Sequence, residues 1–309
     1  MTDSHGRVPT SDHHSDHHSD RGTGIADAPR VEFGVLGPLA VQMNGTGRTP
    51  TAPKLRNVLA MLIVHADQVV PVTALMRELW DDEPPASGLT TLQTYILNLR
   101  KLLAALTCRP AARVAETLLL TRAGGYQLTT AHAGLDLHRY HELAAAGRRA
   151  LGSGDHPAAL AHLSGALNLW RGPALVDIPT GRILESKRRQ YEESRLVLLE
   201  YLLDTQLHLG MYHEALTELA ALTTQNPLHE GLHAQYMRAL HLAGRRAQAL
   251  ETFHSLRTTL VTELGLDPGP AIQRLHHAIL NNDPQLSTPL TPPPADTAPA
   301  GTWTSTRCY

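Results

Sequence analysis

The sequence has little cysteine and no long apolar run. Cys108 and Cys308 are the two cysteines among 309 residues, which excludes a disulfide framework and favours a reducing compartment. No stretch of about 18 apolar residues occurs, so no membrane-spanning helix is expected. The N-terminus has no apolar segment after a basic start, so we expect no secretory signal. These absences predict a cytoplasmic protein.

Motifs that indicate catalysis are also missing. The sequence contains no G-x-x-x-x-G-K-[ST] phosphate loop, no G-x-G-x-x-G after a strand and no G-x-S-x-G elbow. His229 and His233 fit the H-E-x-x-H pattern of zinc proteases. However, Gly231 between them weakens a helix, and the segment follows Pro227 at a predicted helix start. We therefore expect no enzyme activity, no metal site and no cofactor.

Charge and composition divide the chain into four segments. The formal net charge is −2, yet residues 30–132 carry ten lysines and arginines against seven acidic residues. Residues 1–29 are rich in His, Asp and Ser, and residues 284–309 are rich in Pro, Thr and Ala. Both ends lack the apolar residues that repay the entropy of ordering, so we predict disordered tails there. The folded segments are then 30–132 and 133–283.

Residues 30–132 have the pattern of a small α+β domain. Alternating stretches at 31–36 and 39–43 predict antiparallel strands joined by tight turns. Helices are predicted from Pro53 to about His65, from Thr73 to Trp80, and from Ser87, as N-cap, to about Leu106. Two strands are expected between Val114 and Leu128, around glycines that suit a hairpin turn. This order predicts a winged helix-turn-helix with a small antiparallel sheet.

The third predicted helix has two contrasting faces. One face is apolar at helical spacing and comprises Leu89, Leu92, Ile96, Leu99 and Leu103. The other face carries Thr91, Thr94, Asn98 and Lys101, with Tyr95 on a flank. Hydroxyl, amide and ammonium groups can contact base edges and phosphates in a major groove. An ordinary solvent-facing surface has the same composition, so the pattern leaves both interpretations open.

The second folded segment is predicted to be helical throughout and contains an internal repeat. The pattern Gly-x-x-x-x-Ala-Leu occurs at Gly154, Gly210 and Gly244, and the last two glycines have the spacing of a tetratricopeptide repeat. Each glycine is expected to end a helix, and each small alanine to let the next helix pack closely. We therefore predict an all-α, tetratricopeptide-like domain with a surface suited to protein partners.

Motifs in both segments match one family in the same order. They include FGVLGPL at 33–39, LQTYILNLRKLL at 92–103, LWRGPAL at 169–175 and ELGLDPGP at 263–270. Over residues 31–284 the chain resembles the Streptomyces antibiotic regulatory proteins, in a small form without an ATPase module. The resemblance implies an OmpR-type winged helix, the effector domain of two-component regulators, followed by a bacterial transcriptional activation domain.

The resemblance implies a pathway-specific activator of antibiotic biosynthesis genes, acting at the nucleoid. Its expected partners are double-stranded promoter DNA, bound at direct repeats by a dimer or side-by-side protomers, and RNA polymerase holoenzyme with its sigma factor and core subunits. Two alternatives have the same fold: a repressor, and an adaptor that binds proteins and has lost DNA binding. Polar residues retained on the third helix favour DNA binding over the adaptor.

The resemblance also places individual residues. It puts Thr94, Tyr95, Asn98 and Arg100 in the recognition helix, and it puts Arg122 in the wing, where arginine can enter a narrow minor groove. Thr91 and Lys101 complete the candidate set on that helix. Candidate phosphate contacts, which give affinity without sequence choice, are Lys54, Arg56, Lys101 and Arg113.

Overall fold

The structure is a computed structural model that describes residues 30–131, 133–283 and 286. The tails predicted at 1–29 and 284–309 lie outside the described residues, apart from Leu286. Within the described part, no helix is both long enough and apolar enough to cross a membrane.

Within the described residues from 30 to 135, seven short strands form two sheets. Their bounds are β1 Val31–Gly34, β2 Ala40–Met43, β3 Thr46–Gly47, β4 Val70–Pro71, β5 Leu119–Arg122, β6 Gly125–Leu128 and β7 Ala133–Leu135. The first sheet has the order β3-β2-β1-β7, in which β7 pairs parallel to β1 and the other pairs are antiparallel. The second sheet, β4-β6-β5, is antiparallel throughout.

Among the described residues, four helices accompany these strands, and the three predicted helices occur in the predicted order. They are α1 Pro53–Val64, α2 Val72–Trp80, α3 Gly88–Thr107 and α4 Ala111–Thr117. Ser87 occupies the N-cap position of α3 as predicted, but its side chain makes no capping hydrogen bond. The strand predicted to begin near Val114 is wrong at its start, because α4 occupies that stretch and β5 begins only at Leu119.

Seven helices follow within residues 136–280 of the described chain. They are α5 Asp136–Gly152, α6 His156–Leu167, α7 Arg182–His208, α8 Tyr212–Gln225, α9 Glu230–Leu242, α10 Arg246–Leu264 and α11 Pro270–Leu280. The prediction of continuous helix fails for residues 168–181, which form an irregular connection between α6 and α7. The mixed fold class, a winged helix followed by an all-helical region, is confirmed.

The repeated glycines end helices as predicted. Gly154, Gly210 and Gly244 each have φ of +76°, a conformation that favours glycine because it has no Cβ. The alanines of the three repeats, Ala159, Ala215 and Ala249, are fully buried between helices. The repeat therefore marks real helix pairs that stack on one another.

The hydrophobic core does not divide at the proposed boundary near residue 132. One cluster of buried side chains runs from Val31 to Leu202, so α5, α6 and most of α7 share a core with the winged helix. A second cluster runs from Leu203 to Ile279 and holds the remaining helices together. The first helices of the second part therefore act as a support for the winged helix.

A buried carboxylate joins α2 to the start of α7. Glu78 is 4% exposed, and its oxygens accept hydrogen bonds from the backbone N–H groups of Gly181 at 2.6 Å, Ile183 at 2.8 Å and Leu184 at 3.3 Å. These N–H groups belong to Gly181, the N-cap residue of α7, and to the first turn of that helix, where intrahelical partners are lacking. Glu78 thus caps a helix that lies about 100 residues later in the sequence.

A second carboxylate joins α5 to the end of β1. Asp136 accepts hydrogen bonds from the N–H groups of Val35 at 2.9 Å and Leu36 at 3.1 Å, and Arg171 lies 3.3 Å from it. Burial raises the pKa of Asp136, while these hydrogen bonds and Arg171 act in the opposite direction. The helical region is therefore tied to the first sheet by polar as well as apolar contacts.

Candidate nucleic-acid interface

The apolar face of α3 packs into the core and fixes the direction of the opposite face. Leu92, Ile96, Leu99 and Leu103 are buried, which confirms most of the predicted stripe. Leu89 is the exception at 51% exposed. It lies in the first turn of the helix, where fewer neighbouring side chains can cover it.

The outward face of α3 is mostly polar over about two and a half turns, from Gln93 to Lys101. Thr94, Asn98 and Lys101 are exposed there, as the sequence predicted, together with Gln93 and Leu97, which were not singled out. The same wheel that selected Thr94 and Lys101 places Gln93 and Leu97 beside them at spacings of three and four residues, so the signal was present. Five adjacent side chains thus present donors, acceptors, one cation and one apolar group to solvent.

The polar side chains on this face make few hydrogen bonds or ion pairs with the rest of the described protein. The Thr94 hydroxyl donates to the carbonyl of Thr90 at 2.9 Å, which leaves its lone pairs free to accept. Among the described residues, the side chains of Asn98 and Lys101 make no hydrogen bond or ion pair. These groups can therefore bind an external ligand without breaking an internal contact.

Two predicted residues lie on the flank of this face. Thr91 and Tyr95 are half-buried, and the Tyr95 ring packs against the main core cluster. Tyr95 thus has a packing role that the outward residues lack. Both remain at the border of the proposed interface.

Arg100 ties α3 to the wing. Its Nε and Nη2 atoms donate to the Leu119 carbonyl at 3.0 and 2.9 Å, and Nη2 also donates to the Thr121 hydroxyl at 2.8 Å. Burial lowers the pKa of this guanidinium. The side chain therefore positions β5 beside α3, and its donors are largely used within the protein.

Replacing Arg100 with alanine should loosen the wing. Since the Leu119 carbonyl and the Thr121 hydroxyl lose their donor, we expect the free energy of unfolding to fall by about 1–3 kcal/mol. Amide hydrogen exchange should accelerate in β5 and β6 before it changes in α1. Arg113→Ala is the matched control, because Arg113 is exposed and its side chain forms an ion pair with the exposed Glu116 at 3.4 Å. Equal stability of the two variants would contradict this positioning role.

The wing is the hairpin of β5 and β6. Arg122 lies at the exposed end of β5, and its Nε donates to the Gln127 side chain at 2.8 Å. Gln127 in turn donates to the carbonyl of Asp67 at 2.9 Å. This chain of hydrogen bonds orients Arg122 at the tip while its remaining nitrogens stay exposed. The structure thus places Arg122 on the wing, as the sequence predicted.

The candidate phosphate contacts are distributed over three helices, α1, α3 and α4. The Lys54 ammonium lies 4.7 Å from the centre of the Trp80 ring, and Arg56 forms an ion pair with Asp177. Both side chains are thereby occupied where α1 meets α2 and the irregular connection. Arg113 lies elsewhere, on α4. Of the four candidates, Lys101 is the one that shares the outward face of α3.

The H-E-x-x-H segment is a helix start. The Nδ1 atom of His229 accepts from the N–H of Leu232 at 3.2 Å and so caps α9. His233 is buried within the same helix. Within residues 30–131 and 133–283, no group of His, Cys, Asp and Glu side chains is arranged to hold a metal ion.

Comparison with known families matches both parts of the chain. The family described as bacterial transcriptional activator domain matches residues 135–280. The family described as transcriptional regulatory protein, C terminal, matches residues 47–128. The second match contains α3 and the wing, and the first contains the seven helices that follow.

Individual relatives share both parts. Regulatory protein DnrI of Streptomyces peucetius is 46% identical over 256 residues, which are 83% of this chain and 94% of DnrI. Regulatory protein AfsR of Streptomyces coelicolor is 38% identical over 271 residues, 87% of this chain but only 26% of AfsR. The solved structure of Mycobacterium tuberculosis EmbR, in complex with a low affinity phosphopeptide, has a TM-score of 0.77 and 33% identity, covering 84% of this chain and 69% of that one.

Proposed function

The chain belongs to the Streptomyces antibiotic regulatory protein family, and from that membership we propose that this transcriptional regulator is a sequence-specific DNA-binding activator. The proposed targets are promoters of a secondary-metabolite gene cluster, bound at direct repeats by side-by-side protomers. DnrI and AfsR are named regulatory proteins of Streptomyces, which supports such a target.

The outward face of α3 is the observation that carries this proposal. Base reading needs donors and acceptors that are exposed, mounted on a rigid helix and free of internal partners. Asn98 and Lys101 meet these conditions, and Thr94 offers free lone pairs. Arg122, on a wing that Arg100 fixes to the same helix, supplies a contact to the neighbouring groove.

The helical region has a separate role in the proposal. Its stacked helix pairs offer a surface to RNA polymerase holoenzyme, and its first helices share a core with the winged helix. A polymerase bound to these helices would therefore have a fixed direction relative to the DNA. An adaptor without DNA binding would need no polar face without internal partners on α3. A repressor would differ from an activator only in the position of its operator relative to the promoter.

A binding titration at several salt concentrations tests this function. Labelled promoter DNA from the neighbouring genes is compared with a scrambled duplex, using the full chain. We expect specific complexes in two steps, one for each repeat. Lys101→Ala should weaken binding to both duplexes and reduce the slope of log affinity against log salt by about one unit.

Lys187→Ala is the matched control, because Lys187 lies on α7 and its ammonium donates a hydrogen bond to the Gln190 side chain at 3.3 Å. It should leave the salt slope unchanged. Absence of any preference for promoter over scrambled DNA would overturn the proposed function. An unchanged slope in Lys101→Ala, with promoter preference intact, would instead move the phosphate contacts away from α3.

A further inference from the structure

One apolar side chain interrupts the polar outward face of α3. Leu97 is 48% exposed and is surrounded by Gln93, Thr94, Asn98 and Lys101 at adjacent positions of the helix. It belongs to neither hydrophobic cluster of the described residues. Packing within the chain therefore does not explain a leucine at this position.

Exposed large apolar residues are few in this part of the chain. Within residues 30–131, Val69 and Leu89 are the others. Val69 precedes β4, and Leu89 lies in the first turn of α3 on the side of the apolar stripe. Leu97 differs from both because it lies in the middle of the candidate interface, where a ligand would cover it.

The chemistry of the major groove offers one apolar partner for such a side chain. The edges of the bases present hydrogen-bond donors and acceptors, and thymine adds a C5-methyl group. An apolar side chain among polar neighbours can contact that methyl while the neighbours bond to adjacent bases. On the proposed function, we infer that Leu97 is a specificity-determining residue that recognises a thymine through its methyl group.

A protein partner is less consistent with this surface. Docking sites for proteins are contiguous apolar patches rather than single side chains. Here each neighbour on the outward face is polar, and Lys101 adds a positive charge that suits DNA. A single leucine surrounded by polar side chains is suited to contact one thymine methyl group.

Deoxyuridine substitution isolates the methyl contact. Each thymine of the bound promoter repeat is replaced singly by deoxyuridine, which keeps every hydrogen-bonding group and removes only the methyl. For the wild-type protein we expect affinity to fall about fourfold at one position of each repeat, the change that removal of one buried methyl group produces. Leu97→Ala should bind the thymine probe more weakly and should show no further loss with deoxyuridine at that position.

Two variants separate this contact from general effects. Leu264→Ala, which removes a leucine 52% exposed on α10, should retain full sensitivity to deoxyuridine. Asn98→Ala should bind more weakly yet keep the same deoxyuridine effect, because it reads a different group. Thermal unfolding followed by circular dichroism should show that Leu97→Ala is folded.

The outcomes distinguish the two proposals. If promoter preference persists but no deoxyuridine probe binds more weakly than its thymine counterpart, the inference about Leu97 is overturned and the proposed function stands. The same conclusion follows if Leu97→Ala loses equal affinity for both probes at the sensitive position. Loss of promoter preference in the wild-type protein would overturn the proposed function together with this inference.

Discussion

Glu78→Ala is expected to lower the free energy of unfolding by about 2–4 kcal/mol. Three N–H groups at the N-terminus of α7 donate to the Glu78 carboxylate, and Glu78 is buried. Alanine leaves these donors without an acceptor and removes a negative charge from the N-terminus of a 27-residue helix. These contacts are lost at the junction between α2 of the winged helix and α7 of the helical region.

Urea unfolding followed by tryptophan fluorescence is the measurement, because Trp80 lies on the same helix as Glu78 and Trp170 belongs to the main core cluster. Glu78→Gln should show a smaller loss than alanine, since its amide oxygen can still accept from one N–H group. Glu83→Ala is the matched control, because Glu83 is exposed in the loop after α2, and it should change the free energy by no more than about 0.5 kcal/mol. Equal stability of Glu78→Ala and Glu83→Ala would show that the capping contact contributes nothing.

Local patterns predicted the elements of this fold well. The 3.6-residue spacing of Leu92, Ile96 and Leu99 identified the buried face of α3 correctly, because burial along a helix follows that period. The glycines that end α5, α7 and α9 were predictable because few other residues adopt their φ. Both signals are contained within a few neighbouring residues.

The junction could not be predicted in the same way. Glu78 has the sequence context of a solvent-facing residue, and only its contact with Gly181 and Ile183, about 100 residues later, makes its burial favourable. The prediction of helix over 168–181 failed for a related reason. That segment is held by bonds to β1 and the following turn, such as that from the N–H of Arg171 to the carbonyl of Leu36 at 2.8 Å.

The candidate site was predictable in outline and not in detail. A helical wheel separates the outward face of α3 from its buried face, so Thr94, Asn98 and Lys101 could be selected. It cannot show that Arg100, on the border, turns toward β5, because that depends on where the hairpin packs. For α1, the local sequence likewise does not show that Arg56 forms an ion pair with Asp177, because Asp177 lies far away along the chain. Helix α4 was missed because Val114 suggested a strand, although the alanines and glutamate around it favour a helix.

Asn98→Ala is expected to weaken binding to the promoter by about 1–3 kcal/mol and to relax base preference at one position of each repeat. The Asn98 amide is exposed and has no partner within the described residues, so its loss should leave the stability of the fold unchanged. The amide can donate and accept at once, which suits the edge of an adenine in the major groove. Affinity measured against every single base-pair variant of the repeat gives the preference at each position.

The shape of that profile separates base reading from electrostatic attraction. Lys101→Ala should lower affinity for all DNA variants alike. Asn98→Ala should instead remove the base preference at one position of the repeat and leave the preference at the other positions unchanged. Asn168→Ala, which removes an exposed asparagine after α6, should leave the profile as it is in the wild-type protein. A wild-type profile for Asn98→Ala would mean that α3 does not present this face to the bases. The promoter preference would then have to arise from the wing and from the shape of the DNA.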